Sequence, residues 1–116
     1  MTPAVVKNLF LLVGAIAAFV VLLLGESTFD EIVEAEYQSS QESWVADGRP
    51  RGFWWYPQDS DSFQGRFTGI RLQILLLFKT PTWAKESPTV LGLLRRYRFC
   101  THSWYLSLAV LFVLST

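Results

Sequence analysis

The stretch LFLLVGAIAAFVVLLL, residues 9–24, contains no charged side chain and decides the architecture of this chain of 116 residues. Lipid cannot hydrogen-bond a backbone, whereas a helix satisfies its own N–H and C=O groups within one segment. Crossing the hydrocarbon core takes about 20 mainly apolar residues at a rise of about 1.5 Å each. A second uncharged apolar run, YLSLAVLFVL at residues 105–114, lies near the other end of the chain and extends back to Phe99. The pattern therefore predicts an all-α membrane protein with two transmembrane helices.

The two runs divide the chain into three predicted parts. Residues 1–25 form an amino-terminal transmembrane helix, and residues 26–86 form an aromatic-rich, membrane-associated central segment with short amphipathic or interfacial helices. Residues 87–116 form a basic juxtamembrane helix that continues into the second transmembrane helix. A cleaved signal peptide also has a basic residue before its apolar core, as Lys7 is here. The core is long, however, and LLLGES offers no clear small-x-small cleavage site, so we favour a retained span.

Composition narrows the classes of function. The 10 Lys and Arg residues balance the 10 Asp and Glu residues, so bulk electrostatic attraction to nucleic acid is not indicated. Aromatic residues make up 16% of the chain, and in a membrane protein they concentrate at the lipid–water interface. The single cysteine, Cys100, rules out an internal disulfide. We therefore expect membrane lipids, and no nucleic acid, among the partners.

Small residues mark one face of the first run. Gly14 and Ala18 lie four residues apart, a spacing that lets a second helix approach closely in a membrane. This predicts a helix-packing site for another membrane protein or for a second copy of the chain. Ala and Gly are also common in transmembrane helices without any such role.

The sequence turns acidic after the first run, with five Asp and Glu residues between Glu26 and Glu36. Thr28 and Glu31 have the spacing of a capping box, which favours a short amphipathic helix starting there. The alternative is that the first transmembrane helix simply continues into this stretch. We interpret the acidic residues as a solvated helix face rather than a metal site, because no His or Cys accompanies them.

Four consecutive aromatic side chains follow a polar stretch at residues 38–51, which is expected to be a loop. They are Phe53, Trp54, Trp55 and Tyr56. Four neighbouring rings cannot all face one core, so we predict that they anchor the chain at the headgroup level, where Arg49 and Arg51 meet lipid phosphates. A small folded core or a contact with a partner protein is the alternative.

Residues 70–78, IRLQILLLF, are too few to span a membrane. They are predicted to form a helix in the interface, or else a buried strand or helix of the central segment. The preceding GRFTG, residues 65–69, is expected to be a flexible point. Ser87 followed by Pro88 predicts the start of a long helix, with Ser87 as its N-cap.

Basic residues predict the orientation. Arg95, Arg96 and Arg98 form a collar before the second span and are expected to contact lipid headgroups. Because positive residues beside short membrane ends tend to stay in the cytoplasm, this collar favours a cytoplasmic central segment with both termini on the far side. Lys7 before the first span favours the opposite orientation.

We find no pattern for catalysis, cofactor binding or metal binding. His102 and Cys100 are too few ligands for a metal or redox site, and residues two apart in a helix point to different faces. No phosphate-binding glycine loop is present, and nothing supports a Ser-His-Asp triad. The chain is therefore predicted to be neither an enzyme nor a cofactor carrier.

The layout resembles the universal stress protein B family. The residues that carry the resemblance are GFWW at 52–55, IRL at 70–72 and LRRYRF at 94–99, followed by a carboxy-terminal span. The resemblance implies a small two-span protein of the bacterial inner membrane with a stress-related role. It implies no catalytic residue. The acidic stretch 26–36 and the proline-bearing stretch 79–88 depart from the family pattern.

Three hypotheses for the function follow. The first is a non-enzymatic accessory or stabilising subunit that packs against another membrane protein or against itself. The second is a protein that acts on the bilayer through its aromatic and amphipathic segments. The third, which the sequence favours least, is an enzyme or electron carrier that uses His102 or Cys100.

Overall fold

The protein, seen here in a computed structural model that describes residues 2–58 and 60–116, is all-helical over those residues. The chain forms α1 (Pro3–Ser39), α2 (Gln41–Ala46) and α3 (Ser62–Phe78), then a short 3₁₀ turn (Thr82–Ala84) and finally α4 (Pro88–Ser115). The prediction of an all-α protein is confirmed.

Helix α1 runs the length of the molecule. Its 37 residues correspond to about 55 Å, close to the longest dimension of 59 Å. The side chain of Thr2 caps its first turn by accepting a hydrogen bond from the N–H of Val5 (3.2 Å), and Pro3 occupies the first helical position. Among the described residues, α1 is the one helix that is both long and apolar enough to cross a membrane.

The acidic stretch 26–36 continues α1, which was the alternative, and the favoured prediction of a short new helix starting at Thr28 is wrong. The hydroxyl of Thr28 donates back to the carbonyl of Leu24 (2.7 Å) instead of capping a helix. A helix with no break at Gly25 therefore carries the apolar stretch and the acidic stretch on one axis.

Helix α4 starts as predicted: the Ser87 side chain accepts a hydrogen bond from the N–H of Val90 (3.3 Å), and Pro88 lies in the first turn. It runs antiparallel to α1. Gly25 lies beside Cys100, and Gly14 lies beside Leu111 further along the pair. We call residues 2–24 and 105–116 the stem and residues 25–100 the head.

The head has a small apolar core. Its fully packed side chains come from all four α-helices and are Phe29, Ile32, Val33, Trp44, Leu72, Leu76, Leu94 and Tyr97. The stretch 38–51, expected to be a loop, contains α2, because Trp44 on that helix is buried and donates its indole N–H to the carbonyl of Pro50 (3.0 Å). The central segment is therefore partly a folded core, one of the alternatives that the aromatic content allowed.

The glycines of GRFTG, expected to mark a flexible point, lie inside α3, and that prediction is wrong. They are needed for close packing. The backbone N–H of Arg51 donates to the carbonyl of Gly65 (3.0 Å), and a Cβ on Gly69 would lie 2.4 Å from the carbonyl oxygen of Arg51. Small residues four apart thus let an extended segment lie directly on the helix.

Substituting Gly69 tests this contact. Gly69→Ala is expected to lower the free energy of unfolding by about 1–3 kcal/mol, because the new methyl group collides with backbone that cannot move away freely. Gly92→Ala in α4 is the matched control, since a Cβ there meets open space and alanine should stabilise the helix by about 0.5–1 kcal/mol. Denaturant titration followed by tryptophan fluorescence in detergent measures both. Two variants of equal stability would contradict the packing described.

Candidate membrane-facing site

Helix α3 is apolar on two opposite faces. The inner face is buried and consists of Gly65, Thr68, Gly69, Leu72 and Leu76. The outer face carries exposed apolar residues at spacings of three and four, which we call the α3 stripe: Phe63, Phe67, Ile70, Ile74 and Phe78. The predicted helix over 70–78 is therefore present, although it begins earlier, at Ser62. A contiguous exposed apolar face on a small protein marks a surface that meets lipid or a partner.

The middle of the α3 stripe lies beside the stem. Ile70 and Ile74 of the stripe line a groove of about 240 Å³ together with Val21 and Leu22 of α1 and Trp104 of α4. The middle of the stripe thus meets the apolar surface of the stem at this groove.

The aromatic segment is tied to α1 just beyond the stem. The carboxylate of Asp30 accepts the backbone N–H groups of Phe53 and Trp54, the latter at 3.0 Å. Burial raises the pKa of Asp30 above its ordinary value, despite these donated hydrogen bonds. Asp30 lies six residues past Leu24, which is about 9 Å along the helix, close to the thickness of a headgroup layer.

The four aromatic side chains of this segment do not share one environment. Phe53, Trp54 and Tyr56 are exposed. Trp55 is half-buried and packs against the head core, with its ring 5.6 Å from that of Tyr37. Three of the four predicted lipid-contacting rings are therefore available at the surface.

Two arginines of the collar form contacts inside the head. Arg96 forms an ion pair with Glu31 of α1 (2.5 Å), and Arg98 donates to the carbonyl of Leu76 (2.8 Å) near the end of α3. Arg95 is exposed. Two of the three predicted headgroup contacts thus engage neighbouring helices, a use that the positive-inside pattern did not suggest.

The predicted helix-packing residues lie against α4 of the same chain. Ala18 is buried, and a Cβ on Gly14 would lie 2.9 Å from Cδ2 of Leu111. The small residues therefore bring the two stem helices together.

The acidic stretch, predicted to be a solvated helix face, contains a buried carboxyl group. Glu36 is 0% exposed, and neither of its carboxyl oxygens has a hydrogen-bond partner among the described residues. Burial raises its pKa to about 9, and the neighbouring Asp47 acts in the same direction. The folded head therefore holds Glu36 protonated at neutral pH.

This protonation makes the stability of the head depend on pH. The ordinary pKa of the group is 4.5 and the folded pKa is about 9, so the folded state binds more protons throughout that window. Raising the pH through the window therefore lowers the free energy of unfolding. We expect Glu36→Gln to flatten this decline and to make the head more stable than the wild type at the alkaline end, by on the order of a few kcal/mol.

Thermal unfolding in detergent at a series of pH values measures the effect. Glu42→Gln, on the exposed surface of α2, is the control and should keep the wild-type slope. The same slope in wild type and Glu36→Gln would show that Glu36 is ionised in the folded head.

Cys100 and His102 do not form a site. Cys100 is buried against α1, whereas His102 is exposed. Within the part of the chain that the structure describes, no group of three or more His, Cys, Asp or Glu residues is placed to hold a metal ion.

Comparisons with known proteins leave the site to be interpreted from its own residues. No protein-family model, curated protein or solved structure gives a significant match to the chain.

Proposed function

We propose that the chain is a non-enzymatic integral membrane protein whose two antiparallel stem helices hold the head on the bilayer surface, where it acts on the lipid. The observation that carries this proposal is the exposed apolar face of α3, whose residues Ile70 and Ile74 meet the apolar stem. A helix with such a face lies in the plane of the interface with its apolar side toward the acyl chains.

Helix pairing supports a second span. Gly14, near the middle of the apolar stretch of α1, lies beside Leu111, and Leu114 shares an apolar gap with Pro3 and Val6 at the start of α1. The carboxy-terminal part of α4 therefore runs beside the whole apolar stretch. If α1 crosses the bilayer, α4 lies at the same depths and crosses with it.

Charge distribution supports a cytoplasmic head. All ten acidic residues and nine of the ten Lys and Arg residues lie in residues 25–100, and Lys7 is the remaining basic residue. Positive residues beside membrane ends stay in the cytoplasm. The resemblance to the universal stress protein B family supports the bacterial inner membrane and a stress-related role, and it contributes no site residue.

Labelling single cysteines in whole cells tests the two-span topology. In a Cys100→Ala background, Thr116→Cys should react with a membrane-impermeant maleimide in intact cells, whereas Glu42→Cys in the head should react only after permeabilisation. Reaction of both positions on the same side would contradict two spans. Reversed labelling would contradict the orientation alone.

The depth of the α3 stripe tests the action at the bilayer. A spin label on Phe67→Cys should be relaxed more strongly by oxygen, which concentrates in lipid, than by a water-soluble nickel complex. The same label on Glu42→Cys, in the exposed surface of α2, is the matched control and should give the reverse. Equal exposure of both positions to the nickel complex in lipid vesicles would show that the stripe does not lie in the membrane.

The accessory-subunit hypothesis is the second candidate. Since α4 already covers Gly14 and Ala18, a partner protein would have to use the outward apolar faces of the stem or the α3 stripe. Purification from native membranes in a mild detergent separates the two candidates. A stoichiometric membrane complex supports the accessory subunit, and recovery with lipid alone supports action on the bilayer.

A further inference from the structure

A second groove, of about 490 Å³, lies between α1, the segment that follows α2, and α3. Its wall combines apolar side chains with two guanidinium groups. Phe29, Phe53 and Ile70 supply the apolar part, and Arg51 and Arg66 supply the cationic part. The groove shares Ile70 with the groove beside the stem, so its apolar floor is continuous with the membrane-facing surface.

Arg51 is built into this groove. It is 9% exposed, its guanidinium stacks 3.8 Å from the centre of the Tyr56 ring, and its backbone is held on α3 by the carbonyl of Gly65. Its Nε is buried and has no hydrogen-bond partner among the described residues. A buried cationic donor without an acceptor is costly, and an anionic group in the groove would satisfy it.

We infer that this groove binds the phosphate of an anionic phospholipid, with Arg51 and Arg66 on the phosphate and the acyl chains running over Ile70 toward the stem. The inference rests on the proposed membrane location. Arginine suits this ligand because its planar fork of N–H donors matches phosphate oxygens.

The depth of the groove fits a lipid phosphate. Glu26 and Phe29, which line it, lie two and five residues past the apolar stretch that ends at Leu24. This places the groove about 3–8 Å above the hydrocarbon core, within the headgroup layer. A soluble phosphate compound would have no use for the apolar floor, so a lipid is the occupant that satisfies both parts of the wall.

Among the described residues that line the groove, Glu26 carries the one carboxylate, and this carboxylate is already engaged. It accepts a hydrogen bond from the side-chain amide of Gln73 at 2.7 Å. Burial raises its pKa. The groove lining thus offers a phosphate two guanidinium groups against one carboxylate that is already hydrogen-bonded.

The test uses the full-length protein in phosphatidylcholine nanodiscs with spin-labelled phosphatidylglycerol or spin-labelled phosphatidylcholine as the probe. The wild type should immobilise the anionic lipid with an association constant about tenfold higher than that of the zwitterionic lipid, as expected for charge-assisted hydrogen bonds. Arg66→Gln and Arg51→Gln should each abolish most of this selectivity. Arg66 is exposed, so its substitution reports on binding even if Arg51→Gln fails to fold.

Arg71→Gln is the matched control. It removes the same charge from an exposed position on α3 outside the groove, and it should keep the wild-type selectivity. Equal losses of lipid selectivity in Arg66→Gln and Arg71→Gln would mean that the protein attracts anionic lipid by its general positive charge, and this result would overturn the site. Wild-type selectivity in Arg66→Gln would overturn it as well.

Two further arms separate the remaining explanations. Inorganic phosphate should not displace the spin-labelled phosphatidylglycerol, and displacement would show that the groove takes free phosphate instead of lipid. Extraction of the protein from membranes at alkaline pH would overturn the proposed membrane protein itself. Stable insertion without lipid selectivity would overturn only the groove.

Discussion

The length of α1 is the constraint on which the rest of the structure depends. At about 55 Å it exceeds the hydrocarbon core of a bilayer, about 30 Å thick, by nearly five turns of helix in total across its two ends. The apolar stretch lies toward its start, so almost all of the excess projects on one side as the rigid stretch beyond Leu24. Every other part of the head packs on this projection or on the antiparallel start of α4.

Carboxylates on the projection attach the other parts of the head to it. Glu26 binds Gln73 of α3, Asp30 binds the backbone of the aromatic segment, and Glu31 binds Arg96 of α4. These attachments differ in strength. The exposed ion pair of Glu31 contributes at most about 1 kcal/mol, whereas hydrogen bonds from backbone N–H groups to a partly buried carboxylate contribute more, about 1.5–3 kcal/mol each. Asp30 is therefore the main electrostatic attachment, and it fixes the aromatic segment to α1 six residues beyond Leu24.

The sequence predicted those features that depend on local chemistry. The helical class, the N-cap at Ser87 and the unbroken course of α4 follow from hydrophobic patterning and capping, which act over a few residues. The candidate membrane-facing site was predictable in part. The aromatic segment and Arg51 were identified from the sequence, and their location at the lipid–water interface stays a prediction. The role of the GRFTG glycines in close packing was not predictable, because a glycine in a polar stretch is equally compatible with a turn and with a close packing contact. Only the segment that lies against α3 distinguishes the two.

The burial of Glu36 also could not be predicted from the local sequence. Five acidic residues lie within one stretch of eleven residues, and nothing in the neighbouring sequence distinguishes them. Their environments differ because α1 turns about 100° per residue, while α2 and the 3₁₀ turn cover only one side of the helix. Glu36 faces that covered side and is buried, whereas Glu31 faces solvent. Which carboxylate stays charged is therefore decided by tertiary packing.

The two apolar faces of α3 are the feature of the head that the proposed membrane location would account for. A helix that is buried on one face in a water-soluble protein exposes polar residues on the other. Here the inner face is closed by the glycine contact with Arg51, and the opposite face leaves Phe63, Phe67 and Phe78 without cover. Glu26 holds Gln73 of α3, and Asp30 holds the aromatic segment, both within two turns of the end of the apolar stretch. In the proposed membrane setting, the rigid projection that organises the head also places Ile70 and Ile74 of the α3 stripe beside the stem, so insertion of the stem would bring these residues to the lipid.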